Sequence, residues 1–166
     1  MQAFRIAKTR HIRDLSGMGA MLHGGRWNRK NVPVVYASEN RSLATVEFLV
    51  HVPLSIVPND LSIACLEIPD GIVPELISVD DLPKNWREYP APPELAQLGA
   101  EWALGKRSLL LRVPSVVVVN EFNLLLNPRH EEIHRVTISH VESYTFDSRL
   151  LRPRKPFTPP HELTDR

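Results

Sequence analysis

The sequence predicts an α+β domain built from short elements, and three observations carry that prediction. The chain has 166 residues, 43% hydrophobic and 23% charged, which suits one globular domain and not a disordered chain. Its 15 prolines are spread along the whole length, about 9% against a usual level near 5%, and they punctuate any long helix. Apolar runs rich in Val, Ile and Leu alternate with two helical patterns, with no internal repeat and no heptad series.

The elements follow in order. Gln2 to Ala7 reads as a first strand, followed by a loop of polar and small residues that ends at Gly24-Gly25. Val34 to Ala37 reads as a short buried strand after Pro33. Asn40 is placed to cap a helix running to about His51, before Pro53. Leu61 to Ile68 is strand-like, and Pro69-Asp70-Gly71 is a turn. Glu94 to Leu104 predicts a short helix ended by Gly105. Leu109 to Val119, interrupted by Pro114, predicts two strand pieces with a bend between them. Ile133 to Ser139 and Ser143 to Phe146 predict closing strands, and residues 152–166 read as a proline-rich, basic tail.

Lys plus Arg is 20 and Asp plus Glu is 19, a net charge of +1, which argues against a nucleic-acid backbone or an acidic membrane as main partner. Locally the balance is uneven. Residues 1–30 carry a net +6 and residues 60–102 a net −7, which reads either as a polar surface with one basic and one acidic flank or as an N-terminal third that binds an anion such as a phosphate. The single Cys65 forms no internal disulfide and is read as core packing. No signal peptide or membrane span is visible, which points to the cytoplasm.

Glu47 is the oddest residue. On a helix over 41–51 it falls among Leu43, Val46 and Val50, with His51 one turn further on. A carboxylate on an apolar face is costly unless something pairs with it or binds to it. It is therefore either half of a Glu47–His51 pair at the core edge or a catalytic carboxylate. In Gly24-Gly25-Arg26-Trp27-Asn28 the glycines allow a sharp turn and a close approach, and Arg26 offers a planar fork to a phosphate or carboxylate. The plainer reading is a turn with a surface Arg and a buried Trp. Tyr36 either packs in the core or stacks on an aromatic ring. His130-Glu131-Glu132-Ile133-His134 fits the zinc-protease pattern, but it follows Pro128 and runs into a strand-like segment, so no metal is assigned.

Taken together, GGRWN, VVYAS, TVEFLVH, LLLRVPSVVVVNEFNLLLNPRH and FDSRL stand in the order found in RES-domain toxins, the toxin halves of bacterial RES–Xre toxin–antitoxin pairs. The resemblance spans nearly the whole chain and implies a RES domain over 1–151. It implies a fold like the ADP-ribosyltransferase toxins of the diphtheria type, a mixed β-sheet with short helices. It implies breakdown of NAD by hydrolysis or phosphorolysis, or transfer of ADP-ribose to a protein, with NAD as substrate and no further cofactor. Arg26, Glu47 and Ser115 fall on the residues that name the family, Tyr36 on a further active-site tyrosine, and Asn120 beside Ser115 in the same block. On this resemblance Arg26 meets the pyrophosphate, Tyr36 the nicotinamide ring and Ser115 the ribose, while Glu47 stabilises the transition state. His51 is expected to orient Glu47. The implied partners are an Xre-type helix-turn-helix antitoxin that closes the pocket and a second copy of the chain.

Overall fold

The computed structural model describes residues 1–53 and 57–151. Seven strands form one sheet: β1 (Gln2–Lys8), β2 (Val35–Ser38), β3 (Leu61–Glu67), β4 (Glu75–Leu76), β5 (Leu110–Pro114), β6 (Phe122–Leu126) and β7 (Thr137–Tyr144). Their spatial order is β4-β5-β6-β2-β1-β3-β7. All neighbours are antiparallel except β4 and β5, so the sheet is mixed as expected.

Alternation along the strands explains why both faces are covered. Leu111, Val113 and Leu125 join Trp27, Leu95 and Trp102 in one apolar cluster. Leu110, Leu124 and Leu126 join Ala3, Leu66 and Val136 in the other. Leu109 to Leu111 and Leu124 to Leu126 are buried at successive positions and so have no solvent face, which is the mark of central strands. Among the described residues three α-helices flank the sheet: α1 (Met18–His23), α2 (Arg41–Leu49) and α3 (Pro93–Gly105). Of the described helices, none is long and apolar enough to cross a membrane.

Several expectations need correction. The segment before Gly24-Gly25 contains α1, begun by Gly17 at φ 69°, where a Cβ would lie 2.7 Å from the Val34 amide nitrogen. The apolar run Leu109 to Val119 is one strand and a turn, not two strand pieces. The chain leaves the ladder at Ser115, whose Oγ accepts the amides of Val117 and Val118. It reverses through Asn120 at φ 64° and returns as β6, which the composition left unassigned. The two closing strands are a single β7, because Ile133 lies in a short 3-10 turn over Glu131–Arg135. Gly105 is the last residue of α3 and the left-handed residue that follows it is Lys106, while α2 ends at Leu49, short of His51. The tail at 152–166 lies outside the described residues.

Candidate active site

Helix α2 delivers Glu47 to the sheet. Asn40 caps it, its Oδ1 accepting the Leu43 amide at 2.7 Å while its Nδ2 donates to Glu121 at 3.0 Å. Leu43 and Ala44 are the buried residues of this helix, and Val50, expected beside them, is 56% exposed. Glu47 stands one turn beyond Leu43 and Ala44, on the face that meets the sheet. Three contacts with the far end of the sheet hold the helix there. Arg41 pairs with Glu142, Thr45 hydrogen-bonds Tyr144, and the Phe48 and Phe146 rings stack at 5.7 Å.

The Glu47 carboxylate is clamped by two donors on one oxygen. Ser115 Oγ donates to Oε1 at 2.7 Å, and Asn123 Nδ2 donates to the same atom at 2.6 Å. Ser115 is 1% exposed and its lone pairs already accept two backbone amides, so its proton is committed to Glu47. Among the described residues Oε2 has no protein hydrogen bond.

In front of this carboxylate lies a cavity of about 640 Å³, within the range of small-molecule sites, lined by Arg5, Arg26, Tyr36, Ser38, Glu47, His51, Tyr89 and Asn123 among others. Arg26 Nη1 donates to the Trp86 carbonyl at 2.5 Å and Nη2 to the Glu88 carbonyl at 3.0 Å, tying the 86–89 loop to the rim. Burial lowers the pKa of the Arg26 guanidinium from its ordinary value, while Glu47 and Tyr36 act in the opposite direction. Arg5 lies on the same wall. Burial lowers its pKa too, opposed by Asp14, and the side chain is anchored through the Asp14 carbonyl.

Tyr36 is packed into the fold by its hydroxyl and also borders the cavity. Its hydroxyl accepts the Trp27 amide at 3.1 Å and donates to Asn28 Oδ1 at 2.8 Å, while its ring lines the cavity. Burial pushes its phenol well above the ordinary range. A Cβ on Gly25 would sit 2.7 Å from the Tyr36 hydroxyl oxygen, so the second glycine is what lets the turn close over the tyrosine.

The structure thus brings Arg26, Tyr36, Glu47 and His51 to one cavity, and places Ser115 beneath Glu47 rather than on the cavity wall. Asn120 is exposed in the β5–β6 turn and is not among the lining residues. The anticipated Glu47–His51 pair does not form among the described hydrogen bonds. The helix stops before His51, and Ser115 and Asn123 occupy the carboxylate instead. Ser38 and Asn123 escaped the sequence reading, and Arg5 entered it only as one of the charges of the basic 1–30 segment. The available signal was a polar residue beside an apolar run in each case. His130 and His134, the pair in the zinc-protease pattern, sit at a 3-10 turn, where His130 Nδ1 accepts the Glu132 amide at 3.2 Å.

Comparison with known proteins agrees on one family. The RES domain profile matches residues 2–147. The chain is 37% identical to the Prs ADP-ribosylating toxin of Sphingobium sp. (strain YBL2), over 88% of this chain and 92% of that protein. It is 39% identical to Toxin Res of Yersinia enterocolitica serotype O:8 / biotype 1B, over 90% of this chain and 99% of that protein. Its fold is similar to that of a chain in the crystal structure of the M. tuberculosis MbcT–MbcA toxin–antitoxin complex. The TM-score is 0.66 and the identity 16%, over 87% of this chain and 84% of that one.

Proposed function

The chain belongs to the RES domain family, and we propose that it is the toxin of a toxin–antitoxin pair that breaks the nicotinamide–ribose bond of NAD. The observation that carries this reading is the Glu47 carboxylate, clamped on one oxygen and facing a cavity that also holds two arginines and a tyrosine.

The chemistry follows from those groups. Arg5 and Arg26 supply two cationic forks for a pyrophosphate, and Tyr36 supplies an aromatic face for the nicotinamide. When the bond from the ribose anomeric carbon to the pyridinium nitrogen breaks, the electron pair leaves with neutral nicotinamide and positive charge develops on the ribose. A fixed carboxylate beside that carbon stabilises the charge as it forms. Water attacking the carbon yields ADP-ribose and releases a proton, whereas phosphate yields the ADP-ribose phosphate ester. NAD is the substrate, and the reaction requires no further cofactor. An Xre-type antitoxin covering the cavity, a second copy of the chain as dimer partner and a cytoplasmic setting complete the reading.

Transfer of ADP-ribose to a protein is the second reading, favoured by the name of the Sphingobium relative. Incubation with NAD, with and without phosphate and with a cell lysate, separates the cases. Nicotinamide release with free ADP-ribose means hydrolysis, a phosphate requirement means phosphorolysis, and label on a protein band means transfer. No nicotinamide release under any condition would overturn the proposal.

A further inference from the structure

Asn123 bridges two residues that the family resemblance does not connect. Its Nδ2 donates to Glu47 Oε1 at 2.6 Å, and its Oδ1 accepts the Ser38 hydroxyl at 2.7 Å. Ser38 and Asn123 stand directly opposite each other on β2 and β6, and Asn123 also pairs with Val113 on β5. The amide therefore sits in the middle of the sheet with a neighbour on either side, and its backbone has no freedom to withdraw.

An amide has two orientations, and here only one is compatible with its neighbours. If the amide were reversed, Oδ1 would face an ionised carboxylate oxygen, two acceptors in contact with no proton between them. Ser38, 4% exposed, donates to Oδ1 and so rewards the same orientation from the other side. Ser115 repeats the arrangement independently, its proton directed to the same Oε1 because both its lone pairs are in use.

On this basis, and resting on the reading of Glu47 given above, we infer that Asn123, oriented by Ser38, is a positioning residue that fixes the rotation of the Glu47 carboxylate and so selects Oε2 as the oxygen that faces the reacting ribose. Ser38, Asn123 and Glu47 form a relay, and its effect is geometric. It acts on turnover more than on the affinity for NAD: both residues line the cavity, but the Ser38 hydroxyl and both polar atoms of the Asn123 amide are engaged within the relay. A carboxylate misplaced by an ångström costs on the order of 10²-fold in rate.

The test uses the full chain and NAD. Asn123→Ala and Ser38→Ala should lower kcat, the first by about 10²-fold and the second less, with any rise in KM or loss of directly measured NAD affinity well short of the fall in kcat. Ser38→Thr retains a hydroxyl at the same atom and should restore turnover to the wild-type level. Circular dichroism and the thermal midpoint identify any variant that fails to fold, in which case the Ser38 pair decides alone. Growth arrest on induced expression reads the same variants whatever the chemical outcome of the reaction. Glu47→Gln and Asn123→Ala should both abolish it, and Ser38→Thr should keep it. Wild-type protein that releases no nicotinamide overturns the proposed function, and the growth assay then still decides the relay. Wild-type turnover or arrest that survives in Asn123→Ala overturns the relay alone. A rise in KM matching the whole loss, or a Ser38→Thr variant no better than Ser38→Ala, would also sink it.

Discussion

Ser115 Oγ lies 2.7 Å from Glu47 Oε1, although 68 positions separate the two residues in the chain. The contact joins the residue just past β5 to the last turn of α2 and sets the geometry of the candidate site. Its two partners are differently placed. Glu47 faces the cavity, whereas Ser115 is enclosed beneath it and simultaneously ties down the turn that follows.

Glu47→Gln should leave the fold and NAD binding intact while nicotinamide release falls by about 10²-fold or more, the loss typical of removing one charge-stabilising group. The glutamine oxygen still accepts from Ser115 and Asn123, so the side chain keeps its place and loses only its charge. Calorimetric NAD binding beside single-turnover nicotinamide release checks both halves. Equal activity in wild type and variant would remove Glu47 from the chemistry.

Ser115→Ala should destabilise the protein as well as impair it. It leaves the amides of Val117 and Val118 without their acceptor and takes one donor from Glu47. Val117 is exposed and Val118 half-buried, so each lost hydrogen bond costs about 0.5–1.5 kcal/mol, which urea unfolding will resolve as a lower midpoint at unchanged slope. An unaltered midpoint would mean that the turn does not depend on this hydroxyl.

Gly25→Ala tests the close approach at the cavity wall. The added methyl would lie 2.7 Å from the Tyr36 hydroxyl oxygen and 2.9 Å from Asn28 Oδ1, and both are held by hydrogen bonds. Overpacking of this kind costs about 1–3 kcal/mol, and the displaced Tyr36 ring should weaken NAD binding. A variant with wild-type thermal midpoint and affinity would show that the loop yields freely.

Arg26→Lys keeps the charge and loses the fork that reaches two carbonyls at once. Hydrogen exchange across residues 86–91 should quicken, and KM for NAD should rise about tenfold, the equivalent of one charge-assisted bond. Unchanged exchange would separate Arg26 from the loop.

Alkaline pH should unfold the protein through Tyr36. Burial raises its pKa in the folded state above the ordinary phenol value. Above about pH 10 the unfolded chain sheds this proton while the folded chain keeps it, so the unfolded state binds fewer protons and stability falls as pH rises. Below pH 10 both states are protonated and the contribution is flat. Tyr36→Phe should therefore show a shallower decline in thermal midpoint from pH 10 upward than wild type, and parallel curves would count against it.

Much of the fold was legible where local rules act alone. Asn40 before an amphipathic run marks a helix start because a cap needs only its own next turn, and the cap is present. The strand periods at Gln2 and Leu61 were readable for the same reason, and both strands stand within a residue of the expected ends. The run from Val116 to Val119 misled because β-branched residues fit a strand, while Ser115 and the left-handed Asn120 enforce a turn there. The span from Met18 to His23 carried little apolar periodicity and still forms a helix, held by hydrogen bonds from Asn28 and Asn31 to the Ala20 and Met21 carbonyls.

The sequence by itself determined the mixed α+β character, the family and the presence of an isolated carboxylate on a helix, since these depend on residue type and order. Only the tertiary structure decided what that carboxylate meets. His51 was the near neighbour along the chain, but α2 ends two residues before it, and the hydrogen bonds come from Ser115, just past β5, and Asn123 on β6, both far away in sequence. The physical reason is that a side-chain hydrogen bond forms within about 3 Å, a separation fixed by strand register and helix docking and not by distance along the chain.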